Sequence, residues 1–349
     1  MTVKYVRNGW YCVGFGHELT DKPRPIRVLD RDILLYRGSS GAVVAMNDRC
    51  PHRFAPLSRG RIVGDDIECP YHGLRFGRTG VCTLNPHDRQ ALPHAAQVQT
   101  LPLVERDTLL WLWPGDAEVA KHTPPPDMSA FFDLPHRSIV YGHFTIAAHY
   151  ELVLDNLMDL SHAPFLHAGS LSNGEEDLRA LKVETMQDGD TVTANHRLDA
   201  TEPTPQFRPF WRSTSQVGDL RANMRWSPPC TLALDVGMSE RGRPVDEGPN
   251  LHMVHLLTPA AAGETWYFWA AARNYEVGNE KVSSVVHAAI HDAFTLEDEP
   301  MIKAVQERMG THDLFSLNPV LLRGDKASVL VRRILEKRRS LEARPLEAR

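Results

Sequence analysis

Four residues in the first quarter of the chain have the types and the spacing of metal ligands. Cys50 and His52 form a Cys-x-His pair, and Cys69 and His72 form a Cys-x-x-His pair one loop further on. With 5 cysteines and 17 histidines in 349 residues, the number of Cys-x-His pairs expected by chance is about 0.24, and the number of Cys-x-x-His pairs is about the same. The two pairs, in this order, therefore indicate a metal site.

Two kinds of site compete for these ligands. A structural Zn²⁺ site is one alternative, but zinc sites with this ligand set usually take both cysteines from one motif and both histidines from another. Here each loop offers one thiolate and one imidazole, which suits a [2Fe-2S] cluster with mixed ligands. Neutral histidine ligands raise the reduction potential of such a cluster. The remaining cysteines have no histidine at ligand spacing and are expected to be buried or incidental thiols; they are Cys12, Cys82 and Cys230.

A second set of candidate ligands lies near the middle of the chain. Asp159 and His162 are three residues apart on one face of a predicted helix, and His167 follows Pro164, where the helix must bend or restart. Two histidines and one carboxylate with open positions form the ligand set of mononuclear non-haem Fe(II) oxygenases. Taken alone, this spacing equally suits histidines that are satisfied within a core.

Asp298 is the predicted third ligand of that second site. It lies on the apolar face of a predicted late helix, and a buried carboxylate is costly unless it is paired or binds a metal. The alternative is that Asp298, Glu297 and Glu299 form a solvated acidic patch. Pro300 lacks a backbone donor and would kink or interrupt this helix. The kink would change the direction in which the Asp298 side chain points.

The elements that must position these ligands fall into two groups. The first third contains short β-branched runs separated by Gly, Ser and Asp, as in antiparallel hairpins. Beyond the Pro-rich segment 123–127, helices are predicted over 149–160 and 281–309, with strands around 190–196, 230–238, 251–257 and 266–269. We therefore predict an α+β chain of two domains, 1–116 and 117–349.

Composition excludes several classes of protein. The 39 Lys and Arg against 44 Asp and Glu, a net charge of −5, give no basic excess for nucleic acid, and the basic run 332–339 is interpreted as the solvated face of a last helix. No stretch approaches the ~18–20 apolar residues of a membrane span, and residues 1–8 lack the apolar core of a signal peptide. A cytoplasmic protein without nucleic-acid or membrane partners is expected. Gly14-Phe15-Gly16 is an incomplete dinucleotide motif, so the sequence predicts no NADH site in this chain.

The two loops, Cys50–Leu57 and Cys69–Leu74, resemble those of a Rieske iron–sulfur domain. The chain as a whole is similar to the oxygenase components of Rieske non-haem iron oxygenases, and within them to the vanillate O-demethylase-like aromatic O-demethylases. The similarity also covers the segments Arg7–Tyr11, Val104–Arg106, Trp111–Asp116, Asp155–Asp159, Thr258–Pro259 and Ala272–Tyr275. It implies an N-terminal antiparallel Rieske domain and a C-terminal catalytic domain with an antiparallel sheet flanked by helices, a helix-grip or START-like fold.

The resemblance also implies cofactors and partners. A Rieske [2Fe-2S] cluster would be held by the first four ligands, and Fe(II) by His162, His167 and Asp298. Asp159 would connect a neighbouring subunit's Rieske histidine to a ligand of this iron, with Asn156 supporting the site. A homotrimer closed by head-to-tail interfaces would bring the two centres together. A separate flavin and ferredoxin-type reductase would supply electrons, and the substrates would be O₂ and a small aromatic molecule.

The expected reaction is oxidative O-demethylation of a methoxylated aromatic acid, vanillate-like, with release of formaldehyde. Alternatives are another Rieske oxygenase reaction, namely ring hydroxylation, methyl hydroxylation or N-demethylation, and an electron-transfer protein with a degenerate second domain. The candidate substrate-binding residues are His255, Trp211 and Trp226, although His255 equally suits a strand core. Arg208, Arg212 and Arg225 are further candidates for a substrate carboxylate.

The chain departs from the family pattern just before the metal helix. Family members often have Cys followed by Asp or Asn there, whereas this chain has Ala148-His149. We expect His149 to be a packed or solvent-facing residue and not a fourth iron ligand.

Overall fold

The computed structural model describes residues 5–88, 95–174 and 178–343, so the first four residues of the segment tested for a signal peptide lie outside it. The chain divides into two units. One contains the residues up to Met128 together with Thr258–Ala261, and the other contains Ser129–Leu257 and the residues from Ala262 on. No helix in the described ranges is long and apolar enough to cross a membrane.

The first unit is built from three small antiparallel sheets. Its strands are β1 (Tyr11–Phe15), β2 (Arg24–Val28), β3 (Arg31–Arg37), β4 (Val43–Asn47), β5 (Arg61–Val63), β6 (Asp66–Glu68), β7 (Arg75–Phe76), β8 (Cys82–Leu84), β9 (Thr100–Leu101), β10 (Leu103–Arg106) and β11 (Leu109–Leu112). The sheet orders are β1-β11-β10, β2-β3-β4-β9 and β5-β6-β7-β8. The short hairpins predicted from the β-branched runs are confirmed, and the loops with the cluster ligands adjoin the third sheet.

The Pro-rich segment belongs to the first unit. It follows a short helix, α1 (Ala117–Lys121). Trp10 Nε1 donates to the Thr123 carbonyl at 2.7 Å, Arg106 donates to the Asp127 carboxylate at 2.6 Å, and the Met128 amide donates to Asp107. These bonds hold the segment against the strands, so the structure divides after Met128 and not near 116 as the sequence predicts.

The second unit is organised by one seven-stranded antiparallel sheet. Its strands are β12 (Ser138–Ile146), β13 (Lys182–Asp188), β14 (Thr191–Thr201), β15 (Gly218–Ser227), β16 (Thr231–Ser239), β17 (Asn250–Ala261) and β18 (Glu264–Arg273), in the order β12-β18-β17-β16-β15-β14-β13. Every strand pair is a neighbour in sequence except β12 with β18. The sheet and its flanking helices confirm the α+β prediction.

The candidate iron ligands of this unit lie in turns next to its helices. The helices are α2 (Ser129–Phe132), α3 (Tyr150–Met158), α4 (Ala163–Leu166), α5 (Glu280–Asp292), α6 (Glu299–Met309) and α7 (Lys326–Glu342). Between α5 and α6 the chain makes a π-helical turn, Ala293–Asp298, so the helix predicted over 281–309 is continuous but contains one wide, underwound turn. Pro300 falls in the first turn of α6, where the missing backbone N–H is tolerated.

A buried group of charges joins α3 to α7. Arg332 Nε lies 2.9 Å from Asp155 Oδ1, and Arg332 Nη1 lies 2.9 Å from Glu151 Oε2. Arg339 contacts the other oxygen of Glu151. Arg332 is only 4 % exposed. The predicted last helix is confirmed, but the interpretation of its basic run as a solvated face is wrong for Arg332, because α3 supplies buried carboxylates for it.

Candidate metal centres

The two cysteine loops of the first unit share one backbone design. In each loop the cysteine amide donates to the carbonyl five residues on, and the amide four residues on donates back to the cysteine carbonyl. The residues at that fourth position, Phe54 and Gly73, both have positive φ, at 61° and 72°. The repeated turn buries Cys50 and Cys69 to 1 % and 3 % exposure and leaves the histidine side of each loop nearer to solvent.

The side chains of these loops converge. The His52 and His72 rings lie 4.6 Å apart between centroids. Burial, together with the neighbouring Cys69 thiol, raises the pKa of Cys50 to about 11. Two adjacent buried thiols and two adjacent imidazoles are the donor set of a Rieske cluster, and the thiols lose their protons when iron binds. The residues therefore fit the [2Fe-2S] cluster.

The second centre lies where α3 ends. Asp159 ends α3, where its amide donates to the Asp155 carbonyl, and begins the following 3₁₀ turn, Leu160–His162, where its carboxylate accepts from the Ser161 amide at 2.9 Å. The chain restarts as α4, with Pro164 in its first turn, and His167 follows its last residue. The predicted bend at Pro164 is thus present as a restart, and it places His162 and His167 with ring centroids 5.2 Å apart.

The structure brings together the three residues predicted to bind Fe(II). One ligand atom from each of His162, His167 and Asp298 lies within 4.8 Å of the others. Asp298 Oδ1 is 3.7 Å from His162 Nε2 and 3.3 Å from His167 Nε2. Atoms that bind one transition-metal ion at about 2.1 Å and at right angles lie about 3 Å apart. This donor set fits a mononuclear iron with open positions.

Hydrogen bonds orient both histidines so that their Nε2 atoms face each other. His162 Nδ1 donates to the Asp159 carbonyl at 2.7 Å, and His167 Nδ1 donates to Glu297 Oε2 at 2.6 Å. Ser170 Oγ donates to the same carboxylate oxygen at 2.9 Å. A carboxylate behind a ligating histidine fixes the ring and makes it a stronger donor. The sequence suggested no role for Glu297 beyond an acidic patch.

The π-helical turn explains how two adjacent acidic residues serve one histidine. Glu297 and Asp298 both reach the His167 ring, one at Nδ1 and the other at Nε2. Asp298 is 2 % exposed, and Asn156 Nδ2 donates to its Oδ1 at 3.0 Å. A wide turn of this kind is frequent at functional sites. The solvated alternative for Asp298 is therefore excluded, and Asn156 is a hydrogen-bond partner of its carboxylate.

The carboxylate of Asp159 has two close neighbours. His196 Nε2 lies 3.9 Å from Asp159 Oδ1. Gly324 packs so closely that a Cβ atom there would lie 2.5 Å from Asp159 Oδ2. A glycine is needed at 324 for that close approach. His149, by contrast, is buried at the start of α3, where its Nδ1 accepts from the Glu151 amide. It is not among the residues of the described metal cluster.

A cavity of about 170 Å³ opens next to the second centre. All three predicted ligands line it, together with Asn156 and His255. His255 is 1 % exposed, and the Tyr267 hydroxyl lies 2.7 Å from its Nδ1. Most of the remaining wall is apolar; β14 to β17 supply part of it, and the segments 157–172, 178–181 and 290–294 supply much of the rest. The cavity is the natural place for an organic substrate.

The other two candidate substrate residues lie elsewhere. Trp226 is completely buried on β15 and donates to the Pro229 carbonyl, and Trp211 donates to the Ser215 carbonyl. Neither belongs to the described wall of the cavity, and Trp211 lines a separate surface depression. Both assignments are corrected: strand pairing fixes Trp226 in the core, and its own loop holds Trp211 away. The three candidate arginines are likewise absent from the described wall.

Comparisons with known proteins cover most of the chain. A family model of the Rieske [2Fe-2S] domain matches residues 9–102, and one of the vanillate O-demethylase oxygenase C-terminal domain matches residues 146–340. The oxygenase component of dicamba O-demethylase from Stenotrophomonas maltophilia is 33% identical over 340 residues, covering 97% of this chain and 99% of the relative. The oxygenase component of chloroacetanilide N-alkylformylase from Rhizorhabdus wittichii is 33% identical over 342 residues, covering 98% and 97%.

Solved structures with a fold similar to that of this chain include those of dicamba monooxygenase. A crystal structure of dicamba monooxygenase bound to 3,6-dichlorosalicylic acid superposes with a TM-score of 0.91 at 32% identity and covers 99% of this chain and 100% of that one. Another, of dicamba monooxygenase with non-heme iron and dicamba, gives a TM-score of 0.83 at 31% identity, with 97% and 98% covered.

Proposed function

The chain belongs to the Rieske oxygenase components whose C-terminal domain is of the vanillate O-demethylase type, and from this we propose that it removes a methyl group oxidatively from a methoxylated aromatic substrate. It is a Rieske-type monooxygenase with a [2Fe-2S] cluster and a mononuclear non-haem iron, and a separate reductase supplies its electrons. The relatives named above are, by their names, an O-demethylase of dicamba and an N-alkylformylase of chloroacetanilides.

One observation carries the proposal: the ligand set of His162, His167 and Asp298 lines a largely apolar cavity. Cys50, Cys69 and the two loop histidines would hold the cluster, and His162, His167 and Asp298 would hold the iron. The bound iron supplies oxygen activation, which no amino-acid side chain provides. The protein contributes the dry cavity, the ligand orientation and the delivery of electrons.

The overall reaction balances with two electrons. One oxygen atom enters the methyl C–H bond of the substrate, and the other leaves as water after accepting two electrons and two protons. The resulting hemiacetal breaks its C–O bond and gives formaldehyde and a phenol. The aliphatic wall holds the ring of the substrate, and the cavity keeps water away from the reacting methyl group.

We also propose the path of the electrons and the assembly that it needs. Asp159 sits beside His162, whose Nδ1 is bonded to the Asp159 carbonyl. A carboxylate in this position can accept a hydrogen bond from a Rieske histidine of a neighbouring subunit. This role requires a head-to-tail homotrimer, and the electron donor would be a flavin and ferredoxin-type reductase. A fully active monomer in light scattering would contradict the trimer.

The test of the proposed reaction is formaldehyde release. The protein, purified anaerobically with iron, is supplied with a ferredoxin-type reductase and NADH and given a panel of methoxylated arenes. Formaldehyde that matches NADH and O₂ consumption supports O-demethylation. The variant His162→Ala should abolish the product and keep the visible absorption of the cluster.

Two results would contradict the assignments. Continued turnover by the His162→Ala variant would exclude this residue from the iron site. Failure on the whole panel with both metal centres filled would exclude O-demethylation. The second candidate function, a reaction at an N-alkyl group, would then be favoured, because a relative of the same sequence identity is named as an N-alkylformylase.

A further inference from the structure

Two loops of the second unit form part of the wall of the cavity beside the mononuclear centre. The first rim loop, residues 168–174, follows the predicted iron ligand His167, and the second rim loop, residues 202–211, follows β14. The wall residues that they contribute are Leu171, Ser172, Thr204 and Gln206. Arg208, two residues beyond Gln206, is exposed to solvent. The loops therefore run from the inside of the cavity to the protein surface.

The first rim loop is attached to the iron site. The amides of Ser170, Leu171 and Ser172 all donate to the His167 carbonyl at 3.1 Å. Ser170 Oγ also donates to Glu297, the carboxylate that accepts from His167 Nδ1. These bonds fold the loop into a compact turn whose position depends on the iron ligand.

The second rim loop is anchored by aromatic packing. Phe207 is completely buried, and Phe210 stacks on Tyr275 with ring centroids 4.1 Å apart. The amides of Phe207 and Arg208 donate to the Thr204 carbonyl at 2.9 and 2.8 Å. This turn keeps Thr204 at the cavity and Arg208 at the surface.

The side chain of Asn173 joins the two rim loops. Its Oδ1 accepts from Arg208 Nη2 at 2.7 Å, and its Nδ2 donates to the Glu202 carbonyl at 3.2 Å. Arg208 Nε donates to the Pro203 carbonyl at 3.3 Å, which holds the guanidinium against its own loop. Both ends of the Asn173 amide are therefore bonded to the second rim loop. The sequence suggested Arg208 as a partner for a substrate carboxylate, and the structure gives it Asn173 instead.

We propose that Arg208 is a positioning residue that acts through Asn173 to hold the two rim loops together and the cavity closed during the reaction. Each loop has an anchor of its own, so loss of the bond leaves both turns folded and lets the loops separate. A closed rim retains the substrate and excludes water from it. The inference rests on the proposed function only in taking this cavity as the substrate site.

The test is hydrogen–deuterium exchange of the holoprotein without substrate, resolved for each rim loop. The amides of Leu171 and Ser172 report on the first loop, and those of Phe207 and Arg208 report on the second. Loss of one partly exposed hydrogen bond should shift an opening equilibrium about fivefold. We therefore expect Arg208→Met to speed exchange in the first loop about fivefold, although the change lies in the second, and Asn173→Ala to speed exchange in the second loop at least as much.

Two further variants make this result specific. Arg212→Met is the matched control, because Arg212 Nη1 donates to the Pro209 carbonyl and Nη2 lies 3.5 Å from Glu276, neither of which belongs to the first rim loop. It should leave exchange in the first loop unchanged. The double variant Asn173→Ala/Arg208→Met should exchange within about twofold of Asn173→Ala, because both changes remove the same bond.

The exchange data alone can overturn the proposal. Unchanged exchange in the loop that does not carry the substitution would show that the loops do not open together. Effects of the two single variants that multiply in the double variant would show that the two side chains act independently. Either result would exclude Arg208 as a residue that closes the rim.

The complete system gives a second measurement. With reductase, NADH and a methoxylated arene, Arg208→Met should release less formaldehyde per O₂ consumed than Arg212→Met, because a rim that opens during turnover admits water. An unchanged yield despite faster exchange in both loops would limit the bond to a structural role and overturn the proposal. Absence of formaldehyde with the wild type would contradict O-demethylation, and the exchange experiment would still decide whether the loops are joined.

Discussion

Replacing Glu297 removes the carboxylate that accepts hydrogen bonds from His167 Nδ1 at 2.6 Å and from Ser170 Oγ at 2.9 Å. In Glu297→Ala the imidazole loses the partner that fixes its ring and its tautomer. We therefore expect weaker binding of Fe(II), since His167 must be ordered at the moment of binding. In Glu297→Gln the amide oxygen can still accept from Nδ1, but the negative charge is gone.

The size of the effect follows from the contacts. Loss of a carboxylate behind a ligating histidine typically weakens metal binding or activity about 10- to 100-fold, and each tenfold step is about 1.4 kcal/mol. The Glu297 side chain is 30% exposed, so water replaces part of what is lost. We expect a loss of about tenfold in Fe(II) affinity for Glu297→Gln and up to about 100-fold for Glu297→Ala.

The assay is anaerobic competition for Fe(II) between the protein and a chromophoric chelator. Glu299→Gln is the matched control, because Glu299 begins α6 and accepts from the Ala147 amide without touching an iron ligand. This control should bind Fe(II) within about twofold of the wild type. If Glu297→Ala held iron as tightly as the wild type, with cluster absorption and thermal stability unchanged, the hydrogen bond would have no part in building the site.

Three further predictions concern the surroundings of this centre. Arg332→Met should lower the free energy of unfolding by about 3 kcal/mol in urea titrations, because Asp155 loses its cation and Glu151 keeps only Arg339. Arg338→Met breaks a partly exposed pair with Asp190 and should change the free energy of unfolding by less than about 1 kcal/mol. Equal losses in the two variants would contradict this. Burial lowers the pKa of His149 to about 4, so this residue takes up a proton in the unfolded chain, but not in the folded one, as the pH falls through about 6.5. Between pH 7.5 and 5.5 the free energy of unfolding of the wild type should therefore fall by about 1.4 kcal/mol more than that of His149→Asn. Equal pH dependence of the two proteins in urea titrations would refute this. Gly324→Ala should displace the Asp159 carboxylate and slow turnover about 10- to 100-fold, measured with both metal centres filled. Normal turnover of this variant would show that the position of the carboxylate is not critical.

The parts of the fold and site that could be predicted from sequence are those with local signals. The cluster ligands lie in two short loops, and their order alone distinguished a mixed-ligand cluster from a zinc site. The α3 helix and the strands of the large sheet follow hydrophobic periodicity, which depends on neighbours in sequence. The two iron histidines could be predicted for the same reason, since they flank a proline a few residues after a helix.

The parts that could not be predicted depend on residues far away in sequence. A regular helical repeat does not predict that Glu297 and Asp298 contact the same histidine. The π-helical turn allows Glu297 to reach His167 Nδ1. Arg332 resembles any basic residue on a surface helix until Asp155 and Glu151 are found beneath it. Trp226 is a reasonable aromatic candidate, but the register of β15 decides that it packs in the core.

The ion pairs between α3 and α7 also determine when the iron site can form. Asp155 and Arg332 are separated by 177 residues, a stretch that a ribosome translates in roughly 10–35 s. Until Arg332 has been made, the Glu151 and Asp155 carboxylates of α3 lack this cation, so α3 is not held in its final place. All four cluster ligands, by contrast, lie between Cys50 and His72. The two metal centres of each new chain therefore become competent at different times, the iron–sulfur loops early and the mononuclear site late.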